Sequence, residues 1–413
     1  MFMESPYGNS EVFVKKIICV GLIFLSISAC FAKVKTVFDK SKAVKDSGSV
    51  VMTQTAANEF VLAMGAGWNL GNTLDATGRK GLSAETSWGM PKTTQQMING
   101  LSSAGIKTIR IPVSWTSHII DEKYTIDPEW MNRVKEIVDW AIEDGMYVIL
   151  NTHHDNFTNA IGLKPGRGYY PNKANYDLSA AYFANIWTQI ALAFNNGYDE
   201  HLIFETMNEP RLRNTNVEWS YSSTDAQTKE AQEMLNKLNQ VCLDAIRGSK
   251  GNNAKRFVMV PGYCATPNAV LSDEFVLPKE KVPGRLLISV HMYTPYIFAG
   301  QSPGATEFTS RMAYEYSGTF KKLNEKFVQN GIGVVIGEYG AVNKNNLDQR
   351  LAYFHSYLKQ AKKYNLAACL WDNGQWQVKE GTKDYAEKFG YYNRKEQTWY
   401  FPEILEAIVE ESN

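Results

Sequence analysis

Cysteine is scarce in this chain: five residues in 413, with only Cys242, Cys264 and Cys369 beyond residue 30. Three widely spaced thiols make neither a disulfide framework nor a metal-binding spacing. Cys242 falls on a helical pattern and Cys369 on a strand pattern, so buried thiols are expected. No sign of charge dominates, since 43 basic residues balance 43 acidic ones. That balance excludes a chain-wide field favouring nucleic acid or an anionic membrane surface. No Gly-x-Gly-x-x-Gly turn follows the first apolar strand pattern, which removes the usual dinucleotide fingerprint. No linker rich in Pro, Ser or Thr divides the chain, and only one apolar run is conspicuous.

That run, Ile17 to Ala29, is 13 residues long and follows Lys15 and Lys16. It is too short to span a bilayer as a helix and suits the apolar region of an export signal. Ile27-Ser28-Ala29-Cys30 resembles a lipobox, in which Cys30 is lipidated and becomes the new N-terminus. The alternative is ordinary cleavage after Ala32. Glu4 and Glu11 suit a signal's basic start poorly, whereas initiation at Val14 would restore one. Residues 1–32 are therefore read as the signal, 33–55 as a tether and 56–413 as one catalytic domain. The expected location is secreted or cell-envelope, with the membrane touched only through Cys30.

Composition is 44% hydrophobic and 21% charged, ordinary for a folded protein. Short apolar runs alternate with longer amphipathic ones. Strands are predicted at Gly65–Leu70, Thr108–Pro112, Tyr147–Thr152, Leu202–Met207, Arg256–Pro261, Leu286–His291, Gly333–Gly337 and Ala367–Trp371. Most are continuous apolar runs, as parallel strands covered on both faces require. Helix signals begin near Ala56, Thr93, Trp130, Ala180, Glu230, Arg311, Leu347 and Pro402, with Asp127-Pro128 as a start signal. The alternation predicts an α/β fold, a single (β/α)8 TIM barrel. Polar stretches at 155–176, 211–225 and 295–307 read as loops over one face.

Barrel proteins carry their chemistry at the carboxyl ends of the strands. Here those ends read Asn69/Asn72, Arg110, His153-His154, Asn208-Glu209, Tyr263, His291/Tyr293, Glu338 and Trp371-Asp372. Two carboxylates after strands 4 and 7 face each other across a barrel mouth. This is the pairing glycoside hydrolysis needs, one acid for the leaving oxygen and one carboxylate for the anomeric carbon. Arg110 and Tyr293 would keep one carboxylate ionised; burial and the negative partner would raise the pKa of the other. A 12% aromatic share, with 10 Trp and 22 Tyr, offers stacking surfaces for sugar rings. A phosphate-handling barrel is excluded by the loops after the last two strands, which hold Glu338-Tyr339-Gly340 and Trp371-Asp372-Asn373-Gly374 rather than Gly-rich cradles.

Glu205-Thr206-Met207-Asn208-Glu209-Pro210 resembles the Asn-Glu-Pro signature of glycoside hydrolase family 5, the cellulase family. Gly67-Trp68-Asn69-Leu70-Gly71-Asn72-Thr73-Leu74-Asp75 is similar to the opening of its anaerobe-type endo-β-1,4-glucanases and xyloglucanases. Ile109 to Trp115, Leu150 to Asp155, His291-Met292-Tyr293 and Ile336 to Gly340 match further family motifs in order, so the resemblance covers about 65–374. It implies a retaining endo-β-1,4-glucanase with Glu209 as acid/base and Glu338 as nucleophile. Asn208 would hold the sugar 2-hydroxyl and Arg110 and Tyr293 would contact Glu338. His153 and His291 would line the cleavage subsite and bond Glu209 or substrate, with Trp371 as its floor. His154, Asn72, Trp88 and Trp115 are weaker substrate contacts, and Trp88 and Trp115 could equally be core. No cofactor and no metal are expected. His153 and His154 are read as pointing to opposite strand faces, where both seldom meet one ion. A monomer acting on a β-linked polysaccharide is the expected state. Mannan, mixed-linkage glucan and a non-catalytic sugar-binding barrel stand as alternatives.

Overall fold

The computed structural model describes residues 34–413. The expected signal, with Lys15, Lys16, Cys30 and the Val14 start, lies outside the described residues. Eight parallel strands close into a barrel in sequence order: β1 (Ala66–Asn69), β2 (Thr108–Ile111), β3 (Tyr147–Asn151), β4 (Leu202–Glu205), β5 (Val258–Pro261), β6 (Leu286–His291), β7 (Gly333–Tyr339) and β8 (Leu366–Leu370). Closure is made by β1 against β8, with Ala66 opposite Ala368. The predicted (β/α)8 barrel is the observed one.

The helices are α1 (Ala57–Ala63), α2 (Gln95–Ser103), α3 (Pro128–Glu143), α4 (Tyr176–Ala193), α5 (Ala226–Gly248), α6 (Pro267–Leu271), α7 (Tyr296–Ala299), α8 (Ser310–Lys326), α9 (Leu347–Lys363) and α10 (Pro402–Ser412). Their starts follow local chemistry. Asp127 caps α3 through Glu129 N–H with Pro128 in the first turn, and Asp225 accepts from Gln227 and Thr228 at the start of α5. The loop after β8 adds a short hairpin of β9 (Tyr392–Asn393) and β10 (Thr398–Trp399).

Two buried layers organise the molecule. The larger lies between the strands and the helices. The smaller plugs the amino end of the barrel: Ala57, Phe60, Val61 and Met64 of α1 pack on Ile149, Ile203, Met259, Leu287, Val335 and Cys369. Phe60 stacks on Phe257 at 4.1 Å. With that end closed by apolar side chains, the opposite end is left for polar ones. Cys242, Cys264 and Cys369 are free and buried. Among the described residues no helix is long and apolar enough to cross a membrane.

Of the segment expected as a tether, residues 34–55 form neither helix nor strand but are held along the barrel. Asn185 Oδ1 on α4 accepts from Val37 and Phe38, Leu192 O accepts from Asp46, and Glu200 Oε2 accepts from Thr55. Phe38 is buried by this docking.

Candidate active site

The carboxyl end of β7 is not regular. β6 and β7 pair in step as far as Val290 and Ile336, then slip so that His291 faces Glu338. β7 also slips against β8 between Ile336 and Tyr339. A bulge at this point bends the strand and re-aims the next side chain inward. Gly337 sits at it, where a Cβ would crowd His291 Nε2 at 3.1 Å. Glu338 emerges buried inside the barrel mouth.

Arg110 on β2 occupies the centre of that mouth, fully buried. Its Nε donates to Glu205 Oε2 (2.8 Å), and Nη1 donates to Asn69 Oδ1 (2.9 Å) and Glu338 Oε1 (2.8 Å). Nη2 donates to Asn208 Oδ1 (2.6 Å). Burial alone would disfavour the charge, but Glu205 and Glu338 hold the guanidinium above its ordinary range. Tyr293 O–H donates to Glu338 Oε2 at 2.9 Å. Burial and the two carboxylates keep that phenol protonated, pushed well up. Both carboxylate oxygens of Glu338 are thus held by donors, and its orientation is fixed.

Glu209 sits beyond β4, after Asn208 N–H bonds Thr152 O (3.0 Å). Its Oε1 lies 2.8 Å from His291 Nδ1, and the same nitrogen is 3.6 Å from Glu338 Oε2. One oxygen of each glutamate and a ring nitrogen of His291 all lie within 4.8 Å of one another. The electrostatics correct the expectation of a raised acid. Burial does push Glu209 up, but the hydrogen bond and charge of His291, then Arg211 and His154, bring it below its ordinary value. His291 moves the other way: burial opposes its charge, yet Glu338 and Glu209 raise it. Between two carboxylates, the proton favours the imidazole.

The remaining predicted residues divide. Trp371 is buried at the end of β8, and its ring lies parallel to that of His153, the centroids 5.9 Å apart. His153 bonds Asn151 Nδ2 through Nδ1 (3.2 Å) and makes no bond to Glu209. Burial drives its pKa well down. His154 is brought to about 4, mainly by burial, and packs 5.6 Å from the half-exposed Trp88. Asn72 sits half-buried at φ 55°, in a turn whose N–H groups bond Asp75. Trp115, open between substrate contact and core, is fully buried with Nε1 on Asn151 O (2.9 Å), a core residue. Tyr263, at the end of β5, has its hydroxyl donating to Val217 O and accepting from Leu212 N–H, which braces the loop after β4. Asp372 is structural as well, accepting from Trp68 Nε1 and the N–H of Tyr392.

The premise about the two histidines is also overturned. They follow the last residue of β3, where strand alternation no longer applies, and their rings lie 4.4 Å apart. With Asp75 they form a group whose donor atoms lie within 4.8 Å of one another, spaced to meet one cation; Glu209, His291 and Glu338 form another.

Sequence reasoning passed over Glu205, which is fully buried on β4 and accepts from Arg110, Asn151 Nδ2 (2.9 Å) and Ser289. Its signal was a charged residue ending an apolar strand inside the Asn-Glu-Pro motif. Arg211 was passed over too, although its Nη1 lies 3.9 Å from Glu209 Oε2.

Two carboxylates brought together at the mouth of a parallel barrel, one fixed by an arginine and a tyrosine and the other beside a histidine, define a glycoside hydrolase. Residues 74–377 match the cellulase family, glycosyl hydrolase family 5, and the chain belongs to that family. It is 42% identical over 359 residues to endoglucanase B of Ruminococcus albus, covering 86% of this chain and 81% of that one. Among solved structures it is similar to a family 5 lichenase of a Caldicellulosiruptor species in complex with cellotetraose: 40% identity, TM-score 0.81, 89% of this chain and 98% of that one. A broad-specificity endoglucanase from Ruminococcus champanellensis with bound cellotriose gives 38% identity and TM-score 0.78, over 87% of this chain and all of the other.

Proposed function

We propose that this endo-β-glucanase cuts β-1,4-linked plant glucan by a retaining double displacement, with Glu338 as nucleophile and Glu209 as acid and then base. The observation that carries the reading is the close approach of the two carboxylates, one oxygen of each within 4.8 Å. Retaining enzymes hold the two groups ~5–5.5 Å apart, whereas inverting enzymes need ~6.5–9.5 Å to admit a water. The asymmetry of the neighbours supports the division of roles. Both oxygens of Glu338 accept, one from Arg110 and one from Tyr293, which fixes the group in place to attack. Glu209 shares a proton with His291, and that proton is the one delivered to the leaving oxygen. In the second step Glu209 takes a proton from water, which attacks the glycosyl–Glu338 ester.

Asn208, with its oxygen occupied by Arg110, has its amide N–H groups free for the sugar 2-hydroxyl. The parallel rings of Trp371 and His153 receive the sugar at the cleaved position, with His154, Asn72 and Trp88 beside them. The likeness to a lichenase favours mixed-linkage glucan as a second substrate. Purified protein assayed on cellulose derivatives, xyloglucan, mixed-linkage glucan, mannan and xylan tests this. The greatest kcat/KM should fall on one of the β-1,4-containing glucans, and a preference for mannan would overturn the substrate assignment. Export as a lipoprotein anchored at Cys30 belongs to the same reading, as does action as a monomer. Mass spectrometry of the mature N-terminus should find a diacylated Cys30; an unlipidated chain starting at Lys33 would remove the anchor.

A further inference from the structure

Arg211, two residues beyond Glu209, makes a set of contacts that the cleavage chemistry does not use. Its backbone N–H donates to Asn156 Oδ1 (2.8 Å), and Nη1 donates to the Glu209 carbonyl (2.9 Å) while lying 3.9 Å from Glu209 Oε2. Nε donates to Glu218 Oε1 at 3.1 Å. Glu218 in turn accepts from Asn214 N–H through Oε2 (2.9 Å), so the loop is knit around the guanidinium. The guanidinium lies over the indole of Trp219, its carbon 3.8 Å from the ring centroid. That is a close face-on cation–π contact.

One face of Trp219 is therefore backed by Arg211. The residue is nevertheless 63% exposed, which leaves the other face open. An open indole held flat by a cation is a stacking surface for the apolar face of a sugar ring. It stands one guanidinium and two contact distances from the oxygen of Glu209, within the reach of a glucan chain lying across the barrel mouth.

We propose that Arg211 is a positioning residue that ties Glu209 to a sugar-stacking platform at Trp219, the platform taking a glucosyl unit of the same chain outside the cleaved bond. This rests on the reading of Glu209 as acid/base. The same side chain that fixes the backbone of Glu209 also fixes the indole, so chain binding and acid placement share one support. Glu209 is faced by Arg211 and by His154 beyond β3, Cys264 beyond β5, His291 and Tyr293 at β6, Glu338 on β7 and Glu387 after β8. Of these, Arg211 is the one cation that also touches an exposed aromatic ring.

The test is the pH profile of kcat/KM for wild type, Arg211→Met, Arg211→Lys and Trp219→Ala, on an aryl cellobioside and on a long glucan. Removing the cation takes away one of the groups that lower Glu209, while burial still raises it and His291 still lowers it. Arg211→Met should therefore move the basic limb up by about half a pH unit or more on both substrates. It should also raise KM on the long glucan by roughly threefold to tenfold, as stacking losses of this kind do. Trp219→Ala should raise the long-glucan KM similarly with the basic limb unmoved. Arg211→Lys should return the limb but not the KM, because the planar fork that backs the indole is lost. Should Arg211→Met fold poorly, Arg211→Lys and Trp219→Ala decide the matter. A basic limb that stays in place in a folded Arg211→Met, or an unchanged long-glucan KM in Trp219→Ala, overturns the proposal. If Glu209→Ala keeps near-native activity on polysaccharide, the acid/base reading itself fails; if it collapses while the Arg211 and Trp219 variants are silent, only the platform does.

Discussion

Arg110 bonds four side chains from a position with no solvent, so its replacement probes the whole site. Lysine keeps the charge but offers a point donor in place of the fork that reaches Glu205, Asn69, Glu338 and Asn208 together. Arg110→Lys should lower kcat by about 100-fold or more. Arg110→Met strands two buried carboxylates and should cost about 3–5 kcal/mol of stability by denaturant titration. Unchanged stability in the methionine variant would show that Glu205 and Glu338 find other partners. The Glu209–His291 pair makes a separate prediction about pH. His291 has a raised pKa, so its stabilisation is full below its ordinary 6.5 and is lost as pH rises through the folded value. Glu209 is depressed, so its contribution is present above its ordinary 4.5 and is lost as pH falls through the folded value. The excess stability of wild type over His291→Asn should therefore be greatest between those values, and a difference independent of pH would contradict the ion pair. At this scale the sequence named Glu209, Glu338, Arg110, Asn208, His291 and Tyr293, because motif residues at strand ends must converge. It leaves Trp115 open between substrate contact and core, because exposure of an aromatic ring is decided by long-range packing. It expects the acid's pKa to be raised because burial and the negative partner push that way, whereas the hydrogen bond and charge of His291 outweigh burial.

Strands and helices were more legible than the loops. All eight strand positions followed from apolar runs, and β6 was bounded as observed. The five-residue α6 and the β9–β10 hairpin were not seen, since elements this short carry no periodicity to read. The bulge in β7 was invisible for a related reason: it is a change of pairing, not of composition. It is nonetheless the element-level feature on which the site depends. Gly337→Ala should disturb His291 and re-aim Glu338, giving about a tenfold or greater loss of kcat with a modest fall in Tm. Native kcat in that variant would show that the ring gives way without cost. At the other end of the barrel, Phe60→Ala empties part of the α1 plug. It should lose about 3–5 kcal/mol of stability while leaving KM unchanged.

For the molecule as a whole, the described chain from 34 to 413 is one barrel with its amino end filled by α1 and its carboxyl end lined by charged and aromatic groups. The polar, turn-poor composition of 33–55 reads as a tether and does not reveal that Asn185 and Glu200 receive its described part. Removing residues 34–50 should lower stability by about 2 kcal/mol, chiefly from exposing the site of Phe38, with kcat/KM unchanged. The central claim is the division of labour between the two glutamates, and azide rescue tests it most directly. In Glu338→Ala activity on every substrate should collapse, and azide entering the vacated space should give the inverted α-glycosyl azide. In Glu209→Ala natural glucans should be cut very slowly, while aryl glycosides with acidic phenols still form the glycosyl-enzyme. Azide should then release the retained β-glycosyl azide. The account predicts these opposite anomers; the reverse assignment would exchange the roles, and near-native rates on glucan in both variants would contradict it altogether.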